Sequence, residues 1–250
     1  MSVTLPGRVL RRLDPEGRYG LRLTLLAVAL LLVAVPFGLL LDQVVRDGPL
    51  VRVDTSAANE LHGWVRHSNV AVRVLQTVSF VGSPPWLTVM IVGAVAYVLR
   101  RRRLRLGLFL VVTTVTGGLI DTAVKVIVDR DRPSLVAPVA TAHGQSFPSG
   151  HAMSSTIAYG ALLLVLLPAL PARARRPVVG GGAVLVLAIG FSRLALGVHY
   201  ISDVLGGYAL GLAWLAASTA AFSVWRVERG RPPVEPLEGL EPEAAADLGP

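Results

Sequence analysis

Residues 125–133 read Lys-Val-Ile-Val-Asp-Arg-Asp-Arg-Pro, and residues 147–151, after a polar loop, read Phe-Pro-Ser-Gly-His. Lys125 is the only lysine in the chain, and every other positively charged side chain is an arginine. A second polar cluster lies at residues 192–203, again at the edge of an apolar run. Polar groups are sparse elsewhere, so these two clusters predict a fold in which both meet at one side of a membrane.

The composition is that of a membrane protein. Of the 250 residues, 53% are hydrophobic and only 16% are charged, and the mean hydropathy is +0.60. Soluble domains usually carry about 25% charged residues, so the deficit and the long uncharged runs indicate an integral membrane protein. One helix bundle uses the length, and we therefore expect one all-α domain. The sequence has no cysteine, which excludes disulfides and thiolate metal sites.

Six apolar runs predict a six-transmembrane helix bundle. The runs are Leu23–Leu41, Phe80–Leu99, Leu106–Ile120, Ala152–Ala172, Pro177–Ser192 and Val204–Trp225. The first run makes a helix of about 28 Å, close to the roughly 30 Å of a bilayer's hydrocarbon core. It exceeds the apolar part of a signal peptide and no small-x-small cleavage site follows, so we expect an anchor that is retained. The apolar spacing within residues 56–78 predicts a short surface helix between the first two spans.

The placement of arginine predicts the orientation of the bundle. Sixteen of the 24 positive residues lie in residues 1–22 or just after the second, fourth and sixth runs. The positive-inside rule therefore puts both termini in the cytoplasm and both polar clusters outside. The net charge of +8 is explained by topology, because no basic stripe interleaved with aromatic residues indicates nucleic-acid binding. We expect a basic N-terminus (1–22), a membrane domain (23–227) and a disordered cytoplasmic tail (228–250).

Three cations in the polar clusters fit a phosphate group. Lys125, Arg132 and Arg193 converge if the helices form a bundle, and guanidinium groups match phosphate oxygens bidentately. The alternative is that they are ordinary juxtamembrane residues, which is our interpretation of Arg130. Ser149 is placed to cap the next helix, and Gly150 lets a backbone approach a ligand closely. A plain helix start would explain these last two residues equally well.

The two histidines at the helix ends point to chemistry rather than to binding alone. His199 and Asp203 are four residues apart and share a helix face if the sixth helix begins near Val198, so the aspartate can accept from Nδ1 and leave Nε2 as a nucleophile. An isolated pair of this kind is usually inert, but this one follows Arg193 by six residues. His151 lies at the start of the fourth span, facing the cations. A metal held by these groups, with His143, is disfavoured because three nearby cations would repel it.

Several other polar residues receive structural interpretations. Asp121 lies one turn before Lys125 and is expected to pair with it. Asp129 and Asp131 balance local charge. We expect His62 and His67, in the outer segment, to be solvated or interfacial.

Taken together, the motifs resemble those of the type 2 phosphatidic acid phosphatase superfamily, which also includes the vanadium haloperoxidases. That family carries K-x6-RP, PSGH and SR-x5-H-x3-D. This chain matches every position, with Lys125 to Pro133, Pro148 to His151, and Ser192 to Asp203. One such motif is weak evidence, but three in order at membrane edges are specific. The resemblance covers residues 80–225 most securely.

The resemblance implies a role for each site residue and no cofactor or metal. By resemblance, His199 attacks phosphorus, Asp203 orients its ring, and His151 protonates the leaving group and then activates water. The phosphoryl oxygens would be held by Lys125, Arg132, Ser149, Gly150 and Arg193.

These residues favour an integral membrane phosphatase acting on a lipid phosphate or diphosphate at the outer face. A polyprenyl diphosphate such as undecaprenyl diphosphate, or a phosphatidate-type lipid, would serve as substrate. The alternatives are a lipid phosphotransferase using the same site and a non-catalytic lipid-phosphate binding or translocating protein. The six apolar runs argue against the soluble haloperoxidase branch. The expected partners are the bilayer and the lipid substrate, with no nucleic acid, and the sequence leaves the oligomeric state open.

Overall fold

The computed structural model describes residue 31 and residues 35–135, 138–228, 234 and 236–248. Within these ranges the regular secondary structure is entirely helical, as predicted. The α-helices are α1 (Val35–Val45), α2 (Pro49–Val65), α3 (Asn69–Phe80), α4 (Pro84–Arg100), α5 (Leu104–Val128), α6 (Gly150–Leu166), α7 (Ala172–Ala195), α8 (Ile201–Glu228) and α9 (Ala245–Leu248). Short 3₁₀ turns cover Leu167–Ala169, Pro236–Glu238 and Pro242–Ala244.

Five helical segments of the described chain are long and apolar enough to cross a membrane. They are Asn69–Arg100, Leu104–Val128, Gly150–Ala169, Ala172–Ala195 and Ile201–Val224. They correspond to the second to sixth predicted spans. The first predicted span, Leu23–Leu41, lies largely outside the described residues, and α1 covers only its end. The chain is therefore a multi-pass helical membrane protein, with five of its six predicted spans seen as helices.

The helix ends explain why polar residues gather at one end of the bundle. The helix α5 runs for 25 residues, longer than its uncharged run, because Asp121 and Lys125 continue it for two more turns. It ends at Asp129, whose backbone adopts the left-handed conformation (φ 47°) and whose N–H donates to the Lys125 carbonyl. Pro133 then keeps the chain from resuming a helix. Since consecutive spans alternate in direction, α5 and α7 end where α6 and α8 begin.

The helix α6 forms the centre of the bundle and contacts α5, α7 and, most extensively, α8. Glycines let α8 approach it closely. A Cβ atom added at Gly207 would lie 2.7 Å from the carbonyl oxygen of Ser149, and one at Gly211 would lie 3.0 Å from that of Met153. Small residues at such crossings allow close packing of membrane helices. This contact fixes the first turns of α6 and α8 side by side.

The outer segment differs from the single surface helix predicted over residues 56–78. It forms two helices, α2 and α3, separated by a turn, and the Ser68 side chain caps α3 by accepting from the Ala71 N–H. One face of α2 is buried against α7 and α8. His62 lies on that face and is buried, so the expectation that it is solvated was wrong. His67 is exposed.

The C-terminal segment is ordered where disorder was expected. Residues 236–248 form helical turns whose Leu240, Ala244 and Leu248 side chains are buried in the same apolar cluster as α4 to α6. The Leu240 N–H donates to the Leu164 carbonyl, and the buried Arg226 guanidinium binds both carboxylate oxygens of Glu243 at 2.9 Å. The sequence did not predict this docking, because the segment packs through only three apolar residues and these are too few to establish a helical periodicity.

Replacing Leu240 with alanine is expected to undock this segment. A buried leucine-to-alanine change usually costs about 2–5 kcal/mol, and each 1.4 kcal/mol or so shifts an equilibrium about tenfold. Hydrogen exchange across residues 236–248 should therefore accelerate more than about tenfold. Leu237 in the same segment is exposed, so Leu237→Ala should leave the exchange unchanged. Equally fast exchange in the wild type and both variants would contradict the docked segment.

Candidate active site

His199 lies between an arginine and an aspartate. Its ring is buried in the loop between α7 and α8, with 2% of its surface exposed. The Arg132 guanidinium lies 3.1 Å from Nε2, and Asp203 Oδ2 lies 3.4 Å from Nδ1. A guanidinium carries only donors, so Nε2 must accept and the proton must be on Nδ1. The assigned tautomer therefore leaves an electron pair on Nε2, as a nucleophile requires.

Asp203 is held by hydrogen bonds to both carboxylate oxygens. Oδ2 accepts from the Ser146 hydroxyl and, at 2.8 Å, from the Tyr200 backbone N–H, in addition to facing His199. Oδ1 accepts from Arg130 at 2.6 Å. The Tyr200 bond is the backward half of a capping box, because Asp203 is the third residue of α8 and Tyr200 precedes its first. The same carboxylate thus starts the helix and orients the imidazole.

Arg132 is fixed by backbone carbonyls. Its guanidinium donates to the Val198 carbonyl at 2.8 Å and to those of Gly144 and Gln145 at 2.9 and 3.1 Å. It also reaches the carbonyl of His143, whose own side chain is exposed. The polar loop between the first two motifs therefore surrounds this arginine and directs it at Nε2 of His199.

The other predicted site residues surround the same space. His151, in the first turn of α6, lies near His199, and the positive charges of Arg193, Arg132 and Lys125 act on its ring. Lys125 lies against the start of α6, where a Cβ atom at Gly150 would be 3.2 Å from its Nζ. As predicted, Asp121 pairs with Lys125, at 2.5 and 2.6 Å.

Two buried polar atoms in this space have no hydrogen-bond partner among the described residues. They are the hydroxyl of Ser149 and Nε of Arg193. Ser149 occupies the position before α6, but its side chain makes no capping hydrogen bond. Arg193 uses NH1 to donate to Ser79 at 2.6 Å. Buried polar atoms are nearly always satisfied, so each of these two atoms is a candidate donor to a bound anion.

Burial sets the protonation of the groups in the loops. Burial lowers the pKa of His199 to about 4; Asp203 opposes this shift, and Arg132 and Arg193 reinforce it. Burial also lowers the pKa of Arg132, against the opposing charges of Asp203 and Asp121. At neutral pH the imidazole is therefore uncharged.

Comparison with known proteins identifies the family. Phosphatidylglycerophosphatase B of Bacillus subtilis (strain 168) is 32% identical over 141 residues, which are 56% of this chain and 69% of that protein. The family model described as the PAP2 superfamily matches residues 106–226. The chain belongs to the PAP2 superfamily. The resemblance inferred from the three motifs is thereby confirmed.

Other PAP2-related proteins are similar in sequence and in structure. The decaprenylphosphoryl-5-phosphoribose phosphatase of Mycobacterium tuberculosis (strain CDC 1551 / Oshkosh) is 38% identical over 133 residues, 50% of this chain and 65% of that protein. The crystal structure of a transmembrane PAP2-type phosphatidylglycerolphosphate phosphatase from Bacillus subtilis superposes with a TM-score of 0.71. It is 26% identical, and the match covers 77% of this chain and 94% of that one.

The PAP2 motifs do not account for every residue that holds the site. Asp54 in α2 and Ser79 in α3 lie before the matched region, yet both are buried. Ser79 binds Arg193, and Asp54 binds Arg130, which in turn binds Asp203. Nothing in their local sequence distinguishes them from neighbouring polar residues. Arg130, interpreted as an ordinary juxtamembrane residue, is instead bound between two buried carboxylates. That interpretation was wrong.

Proposed function

We propose that this PAP2 protein is a metal-independent membrane phosphatase that hydrolyses a lipid phosphate or diphosphate through a phosphohistidine intermediate. The observation that carries the proposal is the position of His199: Nδ1 faces a fixed carboxylate, and Nε2 faces an arginine in a buried, cationic space. Such a site binds a phosphoryl group and offers it a neutral nucleophile.

In the first step Nε2 of His199 attacks phosphorus while the bond from phosphorus to the lipid oxygen breaks. His151 gives a proton to that departing oxygen, so the lipid leaves as an alcohol or, from a diphosphate, as a monophosphate. Asp203 stabilises the positive charge that develops on the imidazole, which keeps its Nδ1 proton.

In the second step water breaks the nitrogen–phosphorus bond. His151, now neutral, accepts a proton from the water, and inorganic phosphate leaves with His199 restored. In both steps Arg193 holds the equatorial oxygens, and Ser149 donates its unused hydroxyl hydrogen. Arg132 exchanges its hydrogen bond to Nε2 of His199 for one to the phosphoryl group. Lys125 adds positive charge beside the Gly150 backbone. Donors placed in advance at developing charge commonly account for about 10²–10³ in rate each.

Two observations support a lipid substrate. The site lies at the ends of membrane-spanning helices, where an amphiphile can present its headgroup without leaving the bilayer. The similar proteins are named for phosphatidylglycerophosphate and decaprenylphosphoryl-5-phosphoribose, both of which join a phosphate to a membrane lipid. The arginine distribution supports an extracytoplasmic site with cytoplasmic termini.

A panel of lipid phosphates tests the activity. We expect the purified protein to release inorganic phosphate from at least one phosphatidate-type or polyprenyl substrate. Orthovanadate should inhibit because it adopts the five-coordinate geometry of the transferring phosphoryl group. Product analysis with and without an added acceptor alcohol separates hydrolysis from phosphotransfer. No release from any substrate would contradict the proposal.

Chelation should leave the activity unchanged. The cations around His199 would repel a divalent metal ion, and the described residues contain no group of three or more potential His, Cys, Asp or Glu metal ligands. Activity measured in EDTA should therefore equal that of the untreated enzyme. Loss on chelation, with recovery on addition of a divalent ion, would contradict metal independence.

The acid limb of kcat/KM is expected well below pH 6. His199 attacks only when neutral, and its lowered pKa of about 4 keeps it neutral until the pH falls through that value. Activity should thus persist at pH 5 and decline towards pH 4. Because the phosphate's second ionisation lies near pH 6, the profile is measured with two substrates of different phosphate pKa. A fall in kcat/KM near pH 6.5 with both substrates would belong to the enzyme and would contradict the prediction.

A further inference from the structure

A buried ion-pair network lies behind the nucleophile, and apart from Asp203 its members have no part in the steps above. Arg130 donates through NH1 to Asp203 Oδ1 at 2.6 Å and through NH2 to Asp54 Oδ2 at 2.9 Å. Both carboxylates are fully buried, and the Arg130 side chain is only 10% exposed. Its guanidinium also lies 4.3 Å from the centre of the Tyr200 ring. One planar group thus joins α2 to the first turn of α8.

Asp54 also binds the start of α8 directly. Its Oδ1 accepts from the Ser202 backbone N–H at 3.0 Å, and its Oδ2 accepts from the Ser202 hydroxyl. The first N–H groups of a helix have no partner within the helix, and a carboxylate there is favoured by the helix dipole. A residue nearly 150 positions earlier therefore caps the helix that carries Asp203.

We propose that Asp54 and Arg130 are positioning residues that act on His199 through Asp203. The inference rests on the proposed function, and it assigns this function to α2, which lies outside the PAP2 match. Arg130 holds Asp203 Oδ1, so the carboxylate cannot rotate and Oδ2 stays directed at Nδ1 of His199. Asp54 fixes the far end of the guanidinium and the helix turn beneath it.

The charges of the network give the same result. The single positive charge of Arg130 is shared between two carboxylates, so Asp203 retains negative charge for the imidazole. Without the Asp54 charge, Arg130 would be matched by Asp203 alone, and Asp203 would become a weaker acceptor for the Nδ1 proton. Among the described residues, neither side chain hydrogen-bonds to His151 or to a cation that would hold the phosphate, so the effect should fall on kcat rather than on KM.

The test compares Asp54→Asn with a carboxylate on the same helix. Asp54→Asn keeps the shape of the side chain and leaves Arg130 paired with Asp203. We expect kcat to fall on the order of ten- to a hundredfold, the loss typical when the partner behind a metal-bound histidine is removed, with KM changed less than about threefold. Glu60 is an exposed carboxylate of α2, and Glu60→Gln should match the wild type.

A second variant keeps the test informative if Asp54→Asn does not fold. Arg130→Lys keeps the charge but not the planar fork that reaches two carboxylates, so its kcat should fall similarly. If the two residues act as one unit, the double variant should be no slower than the slower single variant. Losses that multiply would overturn the shared role.

The ¹⁵N signals of the histidine rings provide a readout that does not depend on catalysis. The signals of His199 are assigned as those that are missing from the spectrum of the His199→Gln variant. In the wild type we expect a protonated Nδ1 and an unprotonated Nε2, and in Asp54→Asn the two signals should move towards each other as the tautomers mix. If the wild type hydrolyses no substrate, the proposed function fails and these signals still decide the positioning role. Unchanged His199 signals in Asp54→Asn, or a kcat within twofold of the wild type, would overturn the inference.

Discussion

Replacing His199 with alanine is expected to abolish phosphate release. The change removes the only protein group that bonds to phosphorus in the proposed reaction, while the cations that bind the headgroup remain. Loss of a nucleophile or its base in hydrolases costs about 10⁴-fold or more, and we expect a loss of that size in kcat. Initial rates of phosphate release from the best lipid substrate measure it.

The control for this variant is an exposed histidine. The exposed ring of His67 bonds to the Gly63 carbonyl one turn earlier, and His67→Ala should retain full activity. Gel filtration in detergent and the melting temperature confirm that the His199 variant is folded. More than a few per cent of wild-type activity in a folded His199→Ala protein would exclude this residue as the nucleophile.

Replacing His151 with alanine is expected to reduce turnover by about 10²–10⁴, the usual contribution of a general acid or base. The first step should suffer most with an alkyl phosphate, whose alkoxide needs a proton, and least with p-nitrophenyl phosphate, whose phenolate does not. The second step loses its base with either substrate. A burst of p-nitrophenol followed by slow turnover should therefore appear in rapid-mixing experiments.

This pattern separates His151 from a residue that only binds phosphate. Substitution of a binding cation such as Arg193 should weaken the binding of both substrates equally and should give no burst of p-nitrophenol. A loss in His151→Ala that is equal in the first step for both leaving groups would contradict its role as the acid.

Much of this architecture could be predicted from the sequence because membrane helices are determined by long apolar runs. Each PAP2 motif also lies where a span begins or ends, so alternation of helix direction was enough to bring Lys125, His151, Arg193 and His199 to one end. The i,i+4 spacing of Asp121 and Lys125 on α5 predicted their ion pair. The same spacing predicted the contact of His199 with Asp203, but α8 begins at Ile201 rather than near Val198, so His199 reaches Asp203 from the loop before the helix.

The residues that were missed depend on tertiary contacts without a local signal. Arg130 and Arg132 differ by two positions in one loop, and only the fold shows that Arg132 faces His199 while Arg130 faces Asp203 and Asp54. Polar residues in α2 resemble those of any amphipathic surface helix until its inner face is seen against α8. The docking of the C-terminal segment likewise rests on a few side chains whose spacing shows no period.

The most direct measurement is detection of phosphate on His199 itself. Wild-type and His151→Ala proteins are mixed with a lipid phosphate, quenched in alkali, which preserves phosphohistidine, and mapped by mass spectrometry. We expect phosphate on His199, and more of it in the His151 variant because hydrolysis of the intermediate is slowed. Active protein that never carries phosphate on His199, or carries it on another residue, would contradict it.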